Sequence, residues 1–106
     1  MARLNRLRWV TGIVFQSYGL RVGIRTNDAR VLALLPSKLP PDRKPIYRIG
    51  VDRLYSLKAE KSSRPAPGRL YGYVNQERLT RLQNASAVAD ALERDLQAFL
   101  AEHARN

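Results

Sequence analysis

The feature that most constrains the fold lies at the end of the chain, where Val88, Leu92, Leu96, Phe99 and Leu100 recur at helical spacing. Asn84 or Ser86 is available to cap the start, because a short polar side chain can accept from the free amides of a first turn. A helix of about nineteen residues, roughly 30 Å long, follows. Only one of its faces is apolar, so that face must lie on another layer. The residues before it supply strands for that layer. Tyr18, Leu20, Val22 and Ile24 alternate with Gly19, Arg21, Gly23 and Arg25, the period of a strand with one buried face. Ile13 and Phe15 have the opposite parity, which predicts a bulge or bend near Ser17.

Asn27-Asp28 then reads as a helix start, with Val31, Leu34 and Leu35 as its apolar stripe and Pro36 as its end. The proline-rich stretch Pro36 to Pro45 predicts an ordered connector, with an exposed Leu39-Pro40-Pro41 docking ligand as the alternative. Tyr47, Ile49, Val51, Tyr55 and Leu57 predict one bent strand over Ile46–Lys58, or two divided near Asp52. Residues 60–68 have the composition of a hairpin connection, Arg69–Asn75 reads as the next strand, and Leu79–Leu82 as another short one. The expected order is β-α-β-β-(β)-α. This is an α+β fold, a small mostly antiparallel sheet packed against a short helix and a long C-terminal helix. One domain is expected over residues 15–106, preceded by a basic segment, residues 1–14.

Charge narrows the function classes. The chain carries 19 Lys and Arg against 9 Asp and Glu, a net of +10. Residues 1–85 hold 17 basic and 5 acidic side chains, whereas residues 86–106 hold 2 basic and 4 acidic ones. A body with that surplus attracts nucleic acid, nucleotides or acidic proteins. Cysteine is absent, which excludes disulfides, thiolate metal sites and cysteine nucleophiles. The single histidine, His103, leaves no basis for a histidine metal site, and its place in the last helical turn suits the helix dipole. The expectation is therefore no metal and no cofactor. No apolar run approaches the ~20 residues of a membrane span, so a cytoplasmic protein without membrane contact is expected.

Several blocks taken together resemble a known family. The run Phe15 to Asp28 (FQSYGLRVGIRTND), Leu34-Leu35-Pro36, Val51 to Leu57 (VDRLYSL) and Asp90 to Ala104 (DALERDLQAFLAEHA) resemble, in the same order, the N-terminal region of bacterial HPr kinase-related P-loop proteins. The resemblance covers about residues 15–104 and is most specific at Asp52–Leu57 and in the final helix. In that family a strand and a glycine-rich phosphate-binding loop follow this helix. Here the sequence stops at Asn106, and no Gly-x-x-x-x-Gly-Lys-Ser/Thr is present to cradle nucleotide phosphates. What the resemblance implies is a non-catalytic accessory or docking domain, with a protein partner or a kinase domain against it. Assembly through the C-terminal helix stripe, as a homo-oligomer, belongs to the same expectation.

The candidate contact residues follow from strand parity and charge. Arg21, Arg25, Arg48, Arg53 and Lys58 lie on strand-like segments, and Arg21 and Arg25 share the side opposite Leu20, Val22 and Ile24. Arg69, Tyr71, Gly72, Tyr73 and Val74 fit the octapeptide that RNA-recognition motifs carry on a central strand, while Leu70 and Gln76 do not. Tyr71 and Tyr73 would alternate onto one face, where bases could stack. A small basic RNA-binding protein is therefore the alternative function. A basic ribonuclease using Asp52, Arg53 and Tyr55 is a third, although no nucleophile, base and orienting group assemble at that spacing, so no catalytic residue is assigned.

Overall fold

The parity change between Phe15 and Leu20 is resolved by a turn, not a bulge. In the computed structural model, which describes residues 11–46, 50–61 and 67–104, β1 (Thr11–Ser17) and β2 (Leu20–Thr26) form an antiparallel hairpin. Its two-residue loop has Tyr18 at φ 52° and Gly19 at φ 78°. Two left-handed residues in succession match the twist of the flanking strands, and Gly19 takes that conformation at no steric cost. Tyrosine is an unusual occupant of the first place, which is why residue type alone did not announce the turn. Ile13 then pairs with Ile24 and Phe15 with Val22, so both apolar sets face one side. β1 begins at Thr11, inside the segment expected to precede the domain.

The expected first helix is a 3-10 helix, Ala29–Leu34, followed by a second short one, Pro36–Lys38. Asp28 caps the first by accepting from the backbone N–H of Arg30. Both short helices serve to lay Val31, Leu35 and Leu39 into the core, where each is at least 93% buried. Leu39 is thus core, and the exposed Leu39-Pro40-Pro41 ligand is overturned. The chain then adds β3 (Lys44–Pro45) to the outer edge of β1 and returns to β4 (Arg53–Ala59), parallel to β2. Tyr47, Arg48 and Ile49 lie outside the described residues; the second half of the expected strand is β4.

β5 (Leu70–Val74) and β6 (Glu77–Gln83) complete an antiparallel meander, giving a six-stranded sheet of order β3-β1-β2-β4-β5-β6. Asn75, at φ 57°, opens the β5–β6 turn. The octapeptide strand is therefore the fifth, not the third, and the topology differs from a β-α-β-β-α-β arrangement. The final helix is as expected: α1 spans Ala85–Ala104, and Asn84 Oδ1 accepts from the Ala87 N–H at 2.8 Å. Its whole stripe is buried between the sheet and the two 3-10 helices, with Val88 and Leu92 fully enclosed. That stripe belongs to the chain's own core. The fold is α+β.

Polar side chains tie the layers. Tyr55, buried on the helix side, donates from its hydroxyl to Asp95 Oδ2 at 2.5 Å, and Arg53 Nε reaches the same carboxylate at 3.1 Å. Lys38 bonds Asp90 at 2.5 Å, fastening the second 3-10 helix to α1. Burial first, and then the hydrogen bond to Asp95, push the Tyr55 phenol well above its ordinary value.

A basic, tyrosine-bearing sheet face

A sheet residue that points away from the helix points to the other face, so the pairing register specifies what that face carries. Opposite Val22, Ile24, Tyr55, Leu57 and Leu70, the side chains of β2, β4 and β5 are Arg21, Gly23, Arg25, Leu54, Ser56, Lys58, Tyr71 and Tyr73. Gly23 marks one limit of this surface. A Cβ there would stand 3.3 Å from both Leu54 Cδ1 and Val51 Cγ1, so these two side chains close that part of the face over the glycine. Beyond it lie two rows. The first runs straight across four strands as Arg25, Ser56, Tyr73 and Arg78, each the register partner of the next. At a strand spacing near 4.8 Å, it spans about 14 Å of backbone. The second row pairs Lys58 with Tyr71.

A register shift in the β5–β6 pairing brings Arg78 onto this side. Gly72 pairs with Thr80 but Tyr73 with Arg78, so β6 carries an extra residue at Leu79. Thr80 and Leu79 then turn to the core while Arg78 reaches over the Tyr71 ring, its guanidinium carbon 5.0 Å from the ring centre. The Tyr71 and Tyr73 rings lie 6.4 Å apart and are tilted by 39°. Ser56, with no exposed surface, accepts from Arg25 Nε at 2.8 Å. Burial around Arg25 lowers the pKa of its guanidinium, a cation all the same. Tyr71, Tyr73, Lys58 and Arg25 are each part-exposed, and no described carboxylate belongs to either row. Lys58 makes no ion pair with another described residue.

The carboxylates stand at the two ends. Asp52 accepts from the Arg21 backbone N–H at 2.8 Å and pairs with its guanidinium at 3.4 Å. These bonds hold the Asp52 carboxyl below its ordinary value. Glu60 meets Arg69 Nε at 3.2 Å. Arg21 and Arg69 thus border the face already paired, while Arg25, Lys58, Tyr71 and Tyr73 come together inside it. Arg53 does not belong to it. Its side chain lies on the helix side, bonded to Asp95 and 4.5 Å over the Phe99 ring. Arg48 lies outside the described residues. Asp52, Arg53 and Tyr55 do not form a common site, since Asp52 faces Arg21 and Tyr55 is enclosed beneath α1.

Ser56 and Arg78 are the additions that the structure makes. Ser56 was legible, because it alternates with Tyr55 and Leu57. Arg78 was not, because a regular strand would place it on the same side as Thr80 and only the bulge reverses it. His103 bonds the Phe99 carbonyl oxygen at 2.9 Å in the last turn. No helix among the described residues is long and apolar enough to cross a membrane. Compared with protein-family models, with curated proteins and with solved structures, the chain finds no match.

Proposed function

We propose that the chain is a non-catalytic docking domain that binds a negatively charged partner through the face of its sheet away from α1. One observation carries the reading. Arg25, Lys58 and Arg78 share two rows with Tyr71 and Tyr73 and with no described carboxylate, on the side of the sheet away from α1. Lys58 and Arg78 make no ion pair with a described residue, so they can meet an acidic surface without breaking one first. The setting follows from the resemblance to HPr kinase-like proteins: an accessory domain beside a phosphate-loop domain, contributing contact or assembly and not chemistry.

Calorimetric titration with polyglutamate tests it, at low and at high salt. The wild-type protein is expected to bind at low salt and to lose most of the affinity at high salt, as screening requires. Lys58→Glu with Arg78→Glu is expected to weaken binding by at least about tenfold, because each reversal turns an attraction into a repulsion. Equal affinity in that double variant would place the contact elsewhere and sink the proposal.

A further inference from the structure

We infer that the docking face takes single-stranded nucleic acid. The inference rests on the docking reading above and names its partner. Charge alone would serve any polyanion, but the arrangement of rings does not. Tyr71 and Tyr73 emerge side by side between Lys58, Arg25 and Arg78, so two aromatic surfaces are bracketed by cations on both flanks. A carboxylate-rich peptide gains nothing from those rings. Unstacked bases do, since every base has a π-face and the phosphates on either side reach the cations. Arg78 adds a planar guanidinium at 5.0 Å over Tyr71, the kind of group on which a splayed base also stacks.

A sheet face, which offers no element to enter a groove, disfavours the duplex as its ligand. Reading a duplex takes a helix or ribbon that enters a groove. Here the cations sit on the broad side of a sheet whose row crosses β2, β4, β5 and β6, with the rings lying among them. A flexible strand can lie across such a surface and turn its bases down onto the tyrosines, whereas a rigid duplex touches it only through phosphates.

Fluorescence anisotropy with a labelled oligouridylate of about twelve nucleotides tests the inference, beside a duplex of the same length and polyglutamate. The single strand is expected to bind more tightly than the duplex. With about three phosphates neutralised, the slope of log K against log salt should lie near −2. Tyr71→Leu with Tyr73→Leu keeps apolar bulk on the sheet but removes the stacking surface. It should cost at least about tenfold, while Tyr71→Phe with Tyr73→Phe should cost little. Circular dichroism of each variant shows that the sheet is intact.

Single-strand binding that ignores the leucine variant, or a duplex that binds equally well, would overturn the inference and leave charge alone. Polyglutamate binding without oligouridylate binding would also overturn it, yet keep the docking domain. Failure of both ligands would remove the docking reading as well.

Discussion

The two faces of the sheet are built from the same strands, residue by residue, and solve opposite problems. On the helix side, every second residue of β2, β4 and β5 is apolar or fully committed: Val22, Ile24, Leu57 and Leu70 to the core, Tyr55 to Asp95. Even the polar Thr80 is used, its hydroxyl accepting from the Gly72 N–H at 2.9 Å. On the other side the intervening residues carry the positive charge, and two of them contact neutral neighbours in the rows: Arg25 bonds Ser56 and Arg78 covers the Tyr71 ring. A carboxylate beneath the helix closes a network, whereas no described carboxylate lies in the two rows, and the proposed docking takes its attraction from that difference. Charge by itself does not distinguish the faces. Arg53 and Arg25 lie three register positions apart on neighbouring strands and so on opposite faces, and only Arg53 meets an acid on the helix.

That contrast predicts a wide spread of mutational cost. Leu92, fully buried in the middle of α1, should be the most expensive. Leu92→Ala is expected to lose about 3 kcal/mol of stability in urea unfolding, from transfer and cavity together. A loss below about 1 kcal/mol would mean that α1 is not the lid of the core. Next comes Tyr55→Phe, which deletes the hydroxyl bonded to Asp95. A hydrogen bond to a charged acceptor, partly open to water, makes a loss of about 1.5 kcal/mol the expectation at neutral pH.

The same variant has a pH signature. The folded-state phenol titrates above its ordinary value of 10.0, so the stability it contributes is complete below that pH. As pH rises further, the unfolded chain ionises first and wild-type stability falls, by up to about 1.4 kcal/mol per pH unit. Tyr55→Phe lacks this component, and its stability should decline less steeply in the alkaline range. Parallel slopes for the two proteins in alkaline urea titrations would refute the assignment.

The smallest effects belong to the face away from α1. Lys58→Ala should change stability by no more than about 0.5 kcal/mol. Arg78→Ala should cost about 0.5–1 kcal/mol through its lost contact with the Tyr71 ring. A large cost at either position would show that the face is structural, and would blur the distinction between the two sides.

Much of this was legible in the sequence, and the failures have physical causes. The α1 stripe, its Asn84 cap and the alternation in β2, β4 and β5 depend on local period, and each is present where the pattern predicts it. The hairpin at Tyr18-Gly19 was missed because a tyrosine occupies a left-handed position that glycine, asparagine or aspartate usually fills. The first helix tightened to a 3-10 form because so short a segment is shaped by what it packs against, here the core through Val31 and Leu35. In the candidate site, Arg25, Tyr71 and Tyr73 followed from parity, and Lys58 from its charge on a strand-like segment. Arg53 shares its strand's charge but not its outward side, and Arg78 needed a bulge that no residue type signals. Periodicity specifies a face within one strand; only register joins the faces of several.

The most direct test of the central claim is to record which backbone amides move when an acidic ligand is titrated into the isotope-labelled protein. With polyglutamate, and separately with oligouridylate, the largest NMR shift changes are expected at Arg25, Ser56, Lys58, Tyr71, Tyr73 and Arg78. The outward residues of α1, such as Arg94 and Gln97, should stay unmoved. Shifts concentrated on α1, or spread evenly over the surface, would contradict the account by showing that the face away from α1 holds no site.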